Sequence, residues 1–302
     1  MMKAVVLTAY GDTDKLELRE VPDPRVGPTQ IKVRVAGASI NPIDWKLRSG
    51  NYRAFMPLDL PAILGKDASG VVVEVGAGVT AFKIGARVMG RVNAAYAELV
   101  VAPIDAWAEV PATMNLADAG ALPLVLLTGA QLVEEAVDPR PGDLLLVTGA
   151  MGSVGRVAVF AARARGAKVY AGVRGSQKGA AAQLGADAVV ALDDDAALAQ
   201  LPPLDGIADT VGGDTTKKLF EKLKPGGTIG TIVGEPAGAK QRGFVVRAIL
   251  THSDAGRLAA LAQAVAEGKL VIPIARRFPL AQAAEAQKLA EKGAGGKVLL
   301  TG

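Results

Sequence analysis

Three glycines spaced three apart, Gly149-x-x-Gly152-x-x-Gly155, follow the apolar run Leu144-Leu-Leu-Val-Thr148 and precede an alanine-rich amphipathic stretch. A chain that passes from a strand straight into a dinucleotide-binding helix needs glycine for three reasons. One glycine makes the sharp turn, one admits a pyrophosphate to the backbone N–H groups, and one lets the helix pack closely on the sheet. The anion then sits on the positive end of the helix. The spacing is GxxGxxG rather than GxGxxG, so its weight comes from its place between strand and helix. The cradle residues are Gly149, Gly152, Ser153, Val154 and Gly155.

The end of the next strand decides which dinucleotide fits. An NAD site places an acid there, roughly 20 residues on, to hold the ribose 2′-hydroxyl. Residues 169–173 are followed instead by Arg174-Gly-Ser176-Gln-Lys178, and no Asp or Glu occurs from 156 to 186. A 2′-phosphate wants donors and positive charge, which Arg174, Ser176 and Lys178 supply. The reading is NADPH.

Other chemistries are closed off by composition. The 302 residues contain no cysteine and one histidine, His252. Disulfides, zinc ribbons, Fe–S clusters and a cysteine nucleophile are excluded, and a His-rich metal site cannot be built. Lys and Arg number 34 against 30 Asp and Glu, with only 4% aromatic residues. So small a basic excess, without a dense block, makes nucleic acid an unfavoured partner. The first ten residues read as a strand and turn rather than a signal peptide. The most apolar stretch, 119–133, is interrupted by Gly120, Pro123 and Gly129 and falls short of a membrane span. A cytoplasmic protein is expected.

The elements that must position these residues change texture along the chain. Up to about residue 110, short β-branched runs at 3–8, 30–37, 70–75, 87–90 and 95–102 alternate with Pro- and Gly-rich turns, as in a small, partly closed barrel. From about 116, compact apolar runs at 144–148, 168–172, 188–192, 206–211 and 228–234 alternate with alanine-rich helices, the pattern of a doubly wound parallel sheet. A strand over 244–251 and a helix over 255–267 follow, then strand 272–275, helix 280–292 and strand 297–301. The expected division is 1–115 for the barrel, 116–267 for the dinucleotide domain, and 268–302 returning to the barrel.

Several motifs together resemble the zinc-independent, zeta-crystallin-like quinone oxidoreductases of the medium-chain dehydrogenase/reductase superfamily. They are Asn41-Pro-Ile-Asp44-Trp-Lys46, Leu64-Gly-Lys66-Asp67-Ala-Ser-Gly70, Thr128-Gly-Ala, the glycine loop with Leu184-Gly-Ala-Asp187, Asp209-Thr-Val-Gly-Gly213, Lys224-Pro-Gly-Gly227 and Gly296-Lys297-Val. The resemblance covers nearly the whole chain. It implies an α/β protein with a GroES-like β-barrel catalytic domain, a Rossmann doubly wound parallel sheet and an active site between them. Zinc-dependent relatives carry a histidine where Lys66 stands, and the zinc-completing cysteines are missing here. Asp67 is therefore expected to pair structurally with Lys66 or a nearby arginine.

The resemblance also assigns roles. Thr128, the Val233-Gly234 backbone and Lys297 are placed near the nicotinamide. Asn41, which also reads as the N-cap of a short helix with Pro42 at its first position and Gly50 at its end, is placed near the ribose or the substrate carbonyl. Lys46 stands where some relatives have tyrosine and others, the enone reductases, a lysine that reaches the ribose. Tyr52 matches a tyrosine at the substrate cleft, where a phenol can donate to a carbonyl gaining charge; a packed loop aromatic is the plain alternative. Phe55 and Met56 are apolar walls in either case, and His252 is expected to be structural. The segment 244–251 is expected to be an edge strand that pairs with its twin in a homodimer. The connection 90–95 is short for the family. The implied reaction is hydride transfer from NADPH to a quinone or an α,β-unsaturated carbonyl without a metal. Two alternatives stay open: an NADPH-binding crystallin-like or RNA-binding protein with little turnover, and an enoyl-thioester reductase.

Overall fold

Leu144–Thr148 is apolar throughout because both of its faces are buried. Leu145 and Val147 face a cluster with Val169, Ala171, Ala158 and Ala162, while Leu146 faces another with Ile207, Phe220 and Ile229. This strand is the centre of a six-stranded parallel sheet in the computed structural model, which describes residues 1–302. The strand order is Ala188–Ala191, Lys168–Val173, Leu144–Thr148, Leu204–Asp209, Leu223–Thr231 and Val245–Ala248. Ranked by position in the chain, that order is 3-2-1-4-5-6, with the reversal beside the first strand.

Helices cover the sheet. Ser153–Ala164 follows the first strand, and Pro123–Gln131 runs on into a π-helix over Leu132–Val137. The wider turns lie against two glycines. A Cβ on Gly206 would meet Val137 at 2.9 Å, and one on Gly230 would meet Ala136 at 2.9 Å. The helical stretch Leu116–Val137 is long and apolar enough to pass for a membrane span, although residues 119–133 alone read as too short. Of its most apolar window, 78% is buried inside the fold.

The second compact unit is built from two separated pieces, Met1–Leu124 and Ser253–Gly302. Its main sheet runs Ile274–Pro279, Lys297–Thr301, Gln30–Ser39, Asp67–Val75, Arg87–Arg91 and Trp107–Glu109, and Leu99–Pro103 also pairs with Gln30–Ser39. A smaller sheet joins Leu16–Val21, Met2–Leu7 and Ala62–Ile63. Lys297–Thr301 pairs antiparallel with Gln30–Ser39, Leu299 opposite Ser39, so the tail does return to the barrel.

The boundaries differ from the sequence reading. Residues 116–124 stay with the barrel because Ser69 Oγ donates to the Leu116 carbonyl at 2.6 Å and the Leu124 N–H donates to Asp67 at 2.6 Å. Gly37 is there because a Cβ would lie 2.1 Å from the Ala117 oxygen. The helix Ala255–Ala266, expected with the dinucleotide domain, packs instead against the barrel strand Trp107–Glu109. The expected strand 244–251 is confined to Val245–Ala248, at the sheet edge. The strand expected over 95–102 is regular only over Leu99–Pro103.

Candidate active site

In the parallel-sheet unit the singled-out residues gather at the carboxyl ends of the strands. Gly149, at φ +61°, leaves the first strand, and Gly152 is the N-cap of Ser153–Ala164 with no side-chain cap. The N–H groups of Ser153, Val154 and Gly155 in that first turn have no carbonyl of their own helix to bind. Gly155 is required by contact, since a Cβ would lie 2.2 Å from the Gly149 oxygen. Beside this loop sits buried Asp209. Its Oδ1 accepts from Thr148 and Thr216 hydroxyls at 2.8 Å each, and from the Val211 and Gly212 N–H groups at 3.2 and 2.9 Å. Thr210 Oγ1 donates to the Thr148 carbonyl at 2.7 Å and lies where a Gly149 Cβ would clash. The cradle, with free N–H groups and no side chain intruding, fits a dinucleotide pyrophosphate.

Arg174, Ser176 and Lys178 are exposed just past Lys168–Val173. Neither cation has an acidic partner. An acid that sequence inspection missed comes from the next strand end: Asp193 Oδ1 accepts the Gly175 N–H at 2.7 Å. Thr128 is 7% exposed and shares a hydrogen bond with Thr251 at 2.7 Å. Val233 leans on Gly212, and Gly234, at φ +101°, gives its carbonyl to Thr231 Oγ1 at 3.1 Å. His252 Nε2 lies 3.0 Å from Glu135 Oε2, and its backbone is clasped by Gln131.

In the barrel unit, Pro42–Arg48 is the expected helix, with the Asn41 N–H held by Asp44 Oδ2 at 2.8 Å. The Asn41 side chain is turned inward, 1% exposed. Its amide donates to Asp67 at 2.8 Å, and its oxygen accepts from Lys297 Nζ at 2.6 Å. Asp67 also accepts from Ser39 Oγ at 2.5 Å, with Lys297 Nζ at 3.8 Å. The hydrogen bonds and ion pair of Asp67 thus come from Ser39, Asn41, a backbone N–H and Lys297 rather than from Lys66, while Arg91, opposite it in the ladder, interacts with it by charge alone. Lys297 is neither solvated nor surface-lying at the strand start: it is 5% exposed. Burial pushes its ammonium below the ordinary lysine range, opposed by the charges of Asp67 and Asp44.

Asp44 is wholly buried, and desolvation raises its pKa to about 6 despite donations from the Asn41 N–H and from Tyr96 Oη at 2.8 Å. The Tyr96 phenol is pushed up by burial and by Asp44. Tyr96 was not foreseen, since an isolated tyrosine in a barrel strand reads as core. Lys46 and Tyr52, by contrast, come together: Lys46 Nζ donates to Tyr52 Oη at 3.4 Å and lies 5.1 Å from its ring centre. Phe55, 84% exposed, has its ring 6.3 Å from that of Tyr52.

Residues 27–112 match the alcohol dehydrogenase GroES-like domain, and residues 184–300 match the zinc-binding dehydrogenases. A quinone oxidoreductase of Pseudomonas aeruginosa is 31% identical over 99% of this chain and 100% of its own length. The chain belongs to the quinone oxidoreductases of the medium-chain dehydrogenase/reductase superfamily. A 2-haloacrylate reductase of a Burkholderia species is 29% identical, with 95% of each chain covered. The solved quinone oxidoreductase of Coxiella burnetii superposes with a TM-score of 0.90 at 30% identity, covering 100% of this chain and 99% of that one. The protein is accordingly an oxidoreductase with a nicotinamide cofactor and a small-molecule substrate. The zinc in the family's name does not fit its residues. No three His, Cys, Asp or Glu side chains are grouped to hold an ion, and both oxygens of Asp67 are already engaged.

Proposed function

We propose that this protein acts in the cytoplasm as an NADPH-dependent reductase of quinones or α,β-unsaturated carbonyl compounds. The Gly149–Gly155 loop and the Ser153–Ala164 N-terminus would hold the pyrophosphate, with Arg174, Ser176 and Lys178 on the 2′-phosphate. When bound, the nicotinamide supplies a hydride. The observation that carries the reading is the Tyr52 phenol. Lysine has only donors, so the Tyr52 oxygen accepts from Lys46 and keeps its own proton for another acceptor. A carbonyl oxygen gaining charge as its conjugated partner is reduced is such an acceptor. Conjugation spreads the charge to that oxygen, so one neutral donor serves where an isolated carbonyl would call for a metal. The relatives agree in kind: one is named for quinones and another for a haloacrylate, both electron-poor conjugated acceptors.

A homodimer is part of the same proposal. Val245–Ala248 ends the sheet with one edge unpaired and Val245 41% exposed, and a second copy can continue the ladder there. A monomer by sizing at micromolar concentration would remove it.

The test of function is NADPH and NADH oxidation against a panel of quinones and enones, with dinucleotide affinities measured alongside. Turnover with NADPH is expected, and Arg174→Gln combined with Lys178→Gln should weaken NADPH binding about tenfold or more while sparing NADH. Wild-type preference for NADH would assign the deciding role to Asp193 instead. Tight NADPH binding without turnover of any acceptor would overturn the enzymatic reading.

A further inference from the structure

Lys66 and Arg91, two cations of the barrel unit, have their charges opposed by Asp44 and Asp67 without forming an ion pair. Lys66 and Arg91 stand on neighbouring chain segments: the Val92 N–H donates to the Lys66 carbonyl at 3.1 Å, and Arg91 lies opposite Asp67 in the antiparallel register. Both are half-buried. Lys66 Nζ rests on a neutral group, Asn93 Oδ1, at 2.5 Å. Arg91 makes no ion pair, and its Nε is buried without any hydrogen-bond partner.

The carboxylates nearest them form no hydrogen bond with either cation. Asp67 gives Oδ1 to the Leu124 N–H and Oδ2 to Ser39 and Asn41. Asp44 gives Oδ2 to the Asn41 N–H and to Tyr96, and its Oδ1 is buried with no hydrogen-bond partner. Burial holds the Lys66 ammonium below its ordinary range, with Asp44 opposing and Arg91 adding to the effect. It does the same to Arg91, opposed by Asp67. Partly desolvated charges without an ion-pair partner are costly and are kept where an arriving ligand completes them.

We propose that Lys66 and Arg91 form an anion subsite that takes the carboxylate of an acrylate-type acceptor, an acid whose carboxyl group is conjugated with the double bond to be reduced. The proposal rests on the reading of this chain as a hydride-transferring reductase. Its chemistry explains why two cations are wanted. Hydride, carrying two electrons from the reduced nicotinamide, adds to the β-carbon, and the C=C π pair moves toward the carboxyl group. That group then holds a second negative charge until a proton from solvent closes the α-carbon. A quinone or enone develops one charge on one oxygen, which a phenol can meet. A carboxylate that becomes an enediolate develops two, and an ammonium with a guanidinium fork matches both oxygens.

The experiment compares 2-chloroacrylate with its methyl ester as acceptors for the NADPH-loaded wild type and for Lys66→Met, Arg91→Met and Lys66→Arg. Binding of the saturated acid 2-chloropropionate is followed in parallel by calorimetry. The ratio of kcat/KM for acid over ester should fall at least tenfold in each Met variant and recover in Lys66→Arg. Binding of 2-chloropropionate should weaken by a similar factor. A ratio unchanged within twofold, or saturated acid bound equally by wild type and Met variants, overturns the subsite. Should neither acceptor nor any quinone be reduced, the reductase reading fails, and the 2-chloropropionate binding still decides whether the cations hold a carboxylate.

Discussion

Asp67 in the barrel and Asp209 in the parallel-sheet unit are both fully buried carboxylates, and the two units hold them in opposite ways. Asp209 is met by neutral dipoles alone, two threonine hydroxyls and two backbone N–H groups, all beside the glycine loop. Asp67 has a hydroxyl, an amide and a backbone N–H, but adds a buried ammonium, Lys297, from a distant strand. Neutral dipoles solvate a single charge without importing another. The barrel's choice places Asp67, Asp44 and Lys297 in one low-dielectric interior, so removing the ammonium leaves two buried carboxylates without their cation.

The largest effect that would test this contrast is expected from Lys297→Met. Leaving Asp67 and Asp44 buried without their cation should cost about 3–5 kcal/mol in urea unfolding. A loss no greater than that of Asp209→Asn would erase the distinction.

Next comes pH. Asp44 titrates at about 6 in the fold against an ordinary 3.8, so the folded state holds its proton more tightly than the unfolded chain. Its contribution is full below pH 3.8 and is lost as pH rises through 6, by about 3 kcal/mol in all. The wild-type stability minus that of Asp44→Asn should therefore decline across that window. A flat difference would show that the carboxyl is not desolvated as described.

Asp209→Asn keeps an oxygen for the same donors and should cost about 1–2 kcal/mol in urea unfolding. Smallest is Tyr52→Phe, outside both buried clusters. Its unfolding midpoint should stay put while kcat with an enone falls about tenfold, or ~1.4 kcal/mol of barrier; unchanged kcat would remove the phenol from the reaction.

The parallel sheet was the most legible part of the chain. Strands buried on both faces read as continuous apolar runs, and Leu144–Thr148 and Lys168–Val173 lie within a residue of expectation. Leu16–Val21 was missed because it is an exposed ribbon whose Leu-Glu-Leu-Arg-Glu-Val carries three charges, and Trp107–Glu109 because three residues make no pattern. In the site, the helix Pro42–Arg48 was legible from Asn41, Pro42 and Gly50, which act locally. The direction of the Asn41 side chain was not, because it is set by Asp67 and Lys297, 26 and 256 residues away. Asp193 escaped for the same reason: it lies outside the window in which a ribose-binding acid is sought and arrives beside Gly175 through the sheet. Spacing reports chemistry done by neighbours in sequence, and a buried charge network is assembled from strangers.

The two-piece construction of the barrel has a consequence for synthesis. Residues 125–252 are one continuous segment and can complete their sheet from local β-α-β steps as they emerge. The barrel's first 124 residues cannot do the same. They carry Asp44 and Asp67 into an interior whose ammonium belongs to a strand made after the whole parallel-sheet unit. Until Lys297 arrives, the nascent barrel lacks both the strand that pairs with residues 37–39 and a counter-charge for its core. A strand translated only after the whole parallel-sheet unit is thus the one that completes the barrel, and a chain stalled shortly before it should expose an open sheet edge to chaperones and proteases.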